Sequence, residues 1–130
     1  MIKGEAQKAL YDALKAGNVA GGRVYDRPKQ SALFPYVTIG DEQVIPDITD
    51  CGEFYDVACD VHSWSRPQDG SKAEVKALRG ACAEAALTID SVAGYIVHDV
   101  TIDGARTLRD PDGLTEHDIL GVMLRLQKTP

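Results

Sequence analysis

The sequence has little of what would mark it for a membrane, an export route or a nucleic acid. No apolar run approaches the length of a bilayer span. The opening MIKGEAQKAL has no apolar core of the kind a signal peptide needs. Cysteine is sparse and odd in number, with Cys51, Cys59 and Cys82, so reduced thiols in a cytosol are expected, serving as small buried hydrophobes. Positive charge is short as well. The formal net charge is -6, and an acidic surface repels phosphate backbones rather than gripping them. Aromatic residues make up 6% of the chain, with a single Trp64.

Catalytic and metal-binding patterns are equally thin. Asp60, His62 and Ser63 have the residue types of a hydrolase triad, but neighbours on a strand point to opposite faces, so His62 and Ser63 cannot bond side chain to side chain. Cys51, Cys59 and His62 match no standard zinc spacing. His62, His98 and His117 all lie in expected strands and would converge only if strand register aligned them; solvated positions are the simpler expectation. DPDG at 110–113 lacks the further acidic ligands of a calcium loop and reads as a turn. Gly21 and Gly22 start no phosphate loop. No pair of carboxylates can be set on one face for acid–base work. No catalytic set, metal site or cofactor is expected.

What is present is patterning. The 130 residues suit one domain, 1–130. Ile2, Ala6, Ala9, Leu10, Ala13 and Leu14 recur at helical steps, and Gly17 and Asn18, which both tolerate the left-handed conformation, should end that helix. A short strand fits near Arg23–Tyr25. YVTIGDEQVI, residues 36–45, has strand composition, begun by Pro35 and limited by Pro46. In FYDVACDVHSWS, residues 54–65, Tyr55, Val57, Cys59 and Val61 alternate with Asp56, Asp60 and His62. Ser71 and Glu74 form a capping box for a helix to about Leu87, with Val75, Leu78, Cys82, Ala85 and Ala86 as its stripe and Ile89 as an extension. A strand over 95–110, bulged at Gly104, and one over 115–127 make a terminal hairpin, in which Leu120, Val122, Leu124 and Leu126 alternate with Gly121, Met123 and Arg125. The order α-β-β-β-α-β-β predicts an α+β fold, a mixed or mainly antiparallel sheet with two helices packed on one face.

The segment FPYVTIGDEQVIPD, residues 34–47, starts as a strand and breaks into acids, bare apolar residues and proline. Nothing reactive surrounds it, so an active-site wall is the poorer account. Val44, Ile45 and Ile48 among acids read either as contacts on a protruding hairpin or as a surface loop with one side tucked down.

Three marks, in this order and spacing, carry a resemblance over nearly the whole chain: FPYVTIG at 34–40, VHSWSR at 61–66 followed by a Gly–Ser helix start, and RDPDGLTEH at 109–117 before a final apolar strand. The chain resembles the tail terminator, or tail completion and head–tail joining, proteins of long-tailed phages and gene transfer agents. The resemblance implies a structural virion protein, assembled in the bacterial cytoplasm, that forms a hexameric ring at the head-proximal end of the tail tube. Such a ring ends tube polymerisation, meets the tail tube protein and the head connector or stopper, and passes DNA through its lumen without specific binding. No enzyme, cofactor or membrane partner is implied. The candidate assembly contacts are Phe34, Pro35, Asp41, Glu42, Val44, Ile45, Pro46, Asp47, Asp110 and Asp112. Two alternatives stand beside this reading: a head–tail connector or adaptor of the same particle, a class often helical where this chain is strand-rich, and a small oligomeric ligand-binding domain or enzyme with a site between subunits.

Overall fold

A computed structural model of the chain describes residues 1–27 and 30–130. The elements are α1 (Glu5–Ala16), a single 3-10 turn (Val19–Gly22), β1 (Val24–Tyr25), β2 (Tyr36–Thr49), β3 (Gly52–Ser65), α2 (Ala73–Ala86), β4 (Tyr95–Arg109) and β5 (Glu116–Lys128). The strands form one sheet in the order β1-β2-β3-β5-β4. The β1–β2 pair is parallel and the others are antiparallel. This is the α+β layout expected from the alternation of hydrophobic periods.

Both helices lie on one face of the sheet, because that is where the period-two and period-3.6 stripes meet. Ala6, Leu10 and Leu14 of α1 and Val75, Leu78, Cys82, Ala85 and Ala86 of α2 are buried. Beneath them lie Tyr55, Val57, Cys59 and Val61 of β3 and Leu120, Val122, Leu124 and Leu126 of β5, all buried. Each fully buried Leu or Val contributes about 1.5–3 kcal/mol of transfer free energy. The core therefore rests on β3 and β5, the central strands of the sheet.

Several local expectations are corrected. Asn18, with φ 51°, takes the left-handed conformation after α1, whereas Gly17, with φ -76°, does not. Strand β2 does not stop at Pro46 but runs to Thr49, with Pro46 opposite Tyr55. The reason lies on its other side. β1 covers only Val37 and Thr38, so the rest of β2 is an edge, where a missing N–H breaks no ladder within the chain. The capping box does not close: the Ala73 N–H donates to Ser71 Oγ, while the Glu74 carboxylate accepts from Ser65 Oγ. Ser65 is wholly buried and its hydroxyl needs a partner more than the exposed helix start does. α2 ends at Ala86, so Ile89 is buried beyond the helix rather than in it. Cys51 is exposed in the β2–β3 turn; only Cys59 and Cys82 are buried.

The bulge at Gly104 is present, and a second irregularity falls between Val97 and Asp99. Gly104 has φ 127°, a conformation that side-chain-bearing residues avoid. The alternation of β5 also extends further back than Leu120, through Asp118 and Glu116, which point into the covered face and are buried. Arg79 and Thr107 donate to Asp118 at 3.0 and 2.8 Å, and Arg109 donates to Glu116 at 2.7 Å. Two buried carboxylates are thus held by cations reaching in from α2 and β4.

Candidate assembly surface

Among the described residues the opposite face of the sheet carries no helix, and it holds a different population. Tyr36, Trp64, His62 and His117 face this side, since Tyr36 pairs with Trp64, Trp64 with His117, and Thr38 with His62. Their rings form one stack. Trp64 lies on His117 at 3.8 Å between centroids and 7° between planes, and His62 lies 4.9 Å from His117. Tyr36 and Phe34 extend the row. Trp64 Nε1 donates to Thr38 Oγ1 at 3.1 Å, which satisfies the one polar group of a half-buried indole. Gly40 makes room for this cluster, because a Cβ there would collide with the His62 imidazole.

His62 Nδ1 and His117 Nε2 stand 2.6 Å apart. One imidazole must donate and the other accept, so the pair holds a proton between two nitrogens. Burial pushes the His62 pKa below its ordinary value against the pull of Asp60 and Asp41. Burial, then the neighbouring His62, does the same to His117. The expectation that all three histidines are separate and solvated is therefore corrected: register brings two together. His98 stays apart beside Phe54 and donates to Gln127 Oε1 at 2.7 Å. Cys59 points into the core and His62 away from it, with Cys51 in a turn, so these three do not converge. Among the described residues no group of three or more His, Cys, Asp or Glu is placed to hold a metal ion.

The ten candidate contacts fall into two groups at different places. Phe34, Pro35, Asp110 and Asp112 gather at one end of the sheet around Arg66. The Arg66 guanidinium lies 4.5 Å over the Phe34 ring and donates to Asp112 Oδ2 at 3.2 Å and to Thr115 Oγ1. The Phe34–Pro35 peptide is cis, and the Pro35 carbonyl accepts from Arg23 Nε at 2.8 Å. Asp112 organises the β4–β5 turn: the Thr115 hydroxyl and the Thr115 and Leu114 N–H groups donate to its carboxylate and hold its pKa down at about 2. Asp110 closes the same turn through its backbone, donating to the Thr115 carbonyl and accepting from the Gly113 N–H. DPDG is a hairpin turn.

Asp41, Glu42, Val44, Ile45, Pro46 and Asp47 form the second group, along the free edge of β2. Val44 tucks against the core, while Ile45 is 48% and Ile48 61% exposed. Glu42 sits 3.8 Å from Cys59 Sγ; burial raises the Glu42 pKa, and burial together with Glu42 pushes the Cys59 thiol up to about 12. Asp47 and Asp56 share Arg125, which donates at 2.8 and 3.0 Å and lies over the Phe54 ring. Sequence reading set Arg125 on the side away from the leucines but missed Trp64, His117, Arg66 and Arg106, the last paired with Ile119, as members of this face. The parity of His62 with Trp64 was available from β3; the joining of β3 to β5 was not.

The edges complete the surface. Among the described residues β4 is the outermost strand on one side, and β2 beyond Thr38 is unpaired on the other. Ile45, Ile96 and Leu108 are exposed apolar residues that face the bare side, beside those two edges. Exposed apolar patches and unpaired strand edges are features that native proteins cover, pair or blunt. Residues 8–127 match the family model described as tail completion protein gp17. The chain belongs to the tail completion protein gp17 family. It is a structural component of a phage or gene transfer agent tail. Its fold matches a chain of the native gene transfer agent virion with a TM-score of 0.83, 21% identity, and coverage of 95% of this chain and 96% of that one. It also resembles the gp17 protein of bacteriophage SPP1, with a TM-score of 0.55, 25% identity, and coverage of 95% and 88%. No curated protein sequence matches it. Among the described residues no helix of this tail completion protein is long and apolar enough to cross a membrane.

Proposed function

We propose that this tail completion protein closes into a ring, with six copies, at the head-proximal end of a tail tube. The ring ends tube growth, presents a surface to the head connector and lets DNA pass through its lumen. The observation that carries this reading is the pair of open edges among the described residues, β2 beyond Thr38 and β4, on opposite sides of one sheet. Two different edges favour a heterologous, head-to-tail contact, which closes into a ring when the rotation per copy allows it. Edge pairing would also remove two exposed strand templates that otherwise invite aggregation.

Charge supports the DNA-passing part. Residues 30–65, which include all of β2 and β3, hold seven Asp or Glu and no Lys or Arg. Ring symmetry would multiply that charge sixfold around an axis, and an acidic wall lets a polyanion slide without sticking. The test is negative-stain imaging of the protein alone and mixed with its tail tube protein. Six-fold rings, or caps at one end of short tubes, are expected. A protein that stays monomeric and leaves tube length unchanged would overturn the reading.

A further inference from the structure

The ring reading leaves open how one copy's β4 lies against the next copy's β2, and four features of this chain bear on it. The first is charge. Within one sheet, Ile45 is level with Asp99 through Asp56 and Arg125, and Glu42 is level with Ile102 through Cys59 and Val122. If a neighbouring β4 lay at the same level, Asp41 would meet Asp103 and Ile45 would meet Asp99. Like charges directly opposite on a sheet are destabilising.

The second is obstruction. Val37 is level with Thr107 through Ser63 and Asp118, and Val37 is where β1 occupies the β2 edge. At equal level, the last residues of the neighbour's β4 would run into β1. Sliding that β4 toward the free part of β2 clears the block. The same slide carries Arg106 past the acids and toward Asp41.

The third is the size of the slide. Strands of a closed barrel tilt by about 40°. Across four strands spaced about 4.8 Å apart, at about 3.3 Å per residue, that tilt amounts to a stagger of about five residues. Arg106 lies three residues beyond Asp103, so such a stagger brings the Arg106–Leu108 stretch opposite Asp41–Gln43. Diagonal cross-strand neighbours remain within reach of a long side chain. Beyond Ile45, Pro46 withholds a donor, which confines the ladder to Gly40–Ile45.

The fourth is availability. Arg66, Arg79, Arg109 and Arg125 are each held by a carboxylate of their own chain. Arg106 is exposed on the bare face opposite Ile119, and among the described residues no carboxylate pairs with it. Asp41 is likewise exposed.

We propose that the partner of the β2 edge is the β4 edge of a second copy, staggered toward its C-terminal half so that Arg106 of one subunit meets Asp41 of the next. This rests on the ring reading. The test is native mass spectrometry of the wild type, Arg106→Asp, Asp41→Arg and the double variant, each first checked for an unchanged melting temperature. Either single reversal should raise the concentration needed for assembly by about tenfold, from lost attraction plus new repulsion. The double variant should restore assembly. Singles that assemble like the wild type, or a double that fails to recover, would overturn the stagger while leaving the ring standing. A wild type that forms no oligomer, even with the tail tube protein, would overturn the ring itself and the stagger with it.

Discussion

The two faces of the sheet are made from the same strands yet obey different rules. On the covered face, β3 and β5 present Val, Leu, Tyr and Cys at every second position, and the helices answer with Leu and Ala. Only its far end is polar, where Ser63, Ser65, Glu116 and Asp118 replace the hydrocarbon and draw in Arg79 and Arg109. On the bare face the same strands present Trp64, His62 and His117, half-buried by stacking on one another rather than by a covering layer, and Asp56 ion-paired with Arg125. A covered face needs volume and little else, so its residues are interchangeable hydrophobes. On the bare face rings pack on rings and charges pair with charges, so the contacts of each residue depend on the identity of its neighbour.

That contrast sets the order of expected effects. Leu124→Ala removes a wholly buried side chain between the helices and the central strands. It should cost about 3 kcal/mol, read by urea unfolding; a loss below about 1 kcal/mol would mean the covered face is not the core. Ile45→Asp, on the bare edge, should leave the unfolding free energy within about 0.5 kcal/mol of wild type, yet raise the assembly concentration about tenfold. Unchanged oligomer mass and unchanged tail joining would remove Ile45 from the interface.

Acid should act through the bare face next. Folding lowers the pKa of His62 and His117, so the unfolded chain takes up protons first as pH falls. The stabilisation is present above the unfolded value, about 6.5, and is lost as pH drops through it toward the lowered folded values. The melting temperature should therefore fall between pH 7.5 and pH 5.5. His62→Gln combined with His117→Gln should flatten that slope, with Trp64 fluorescence as a local reporter. An identical slope in the double variant would assign the effect elsewhere. Thiol reactivity should give the smallest signal: in the native protein Cys51 reacts quickly with a disulfide reagent, while Cys59 and Cys82, with pKa values pushed up by burial to about 12 and about 11, do not. More than one fast thiol would show that the covered face opens readily.

Much of the covered face was legible because its signals are local. The stripe of α1, the alternation of β3 and the leucines of β5 are repeats within a dozen residues, and each was placed in its element. The candidate contacts were harder. Pro46 looked like a strand end, because its cost depends on whether a neighbour needs its N–H, and β1 proved too short to need it. Ser71 and Glu74 looked like a capping box, because the competing demand of Ser65 comes from another element. Glu116 and Asp118 carried no sign of burial, since the cations that hold them stand on α2 and β4.

The sequence by itself determined the element order, the helix-facing residues and the membership of the tail completion family, because periodicity and motif spacing are properties of a single stretch of chain. The tertiary structure decided which strand lies beside which. That choice set His117 against His62 across 55 residues of chain and against Trp64 beside it, gathered Phe34 and Asp112 around Arg66, and left β4 and β2 beyond Thr38 as the open edges among the described residues. Pairing is chosen by the joint burial of all the strands under two helices, a balance that no local segment contains.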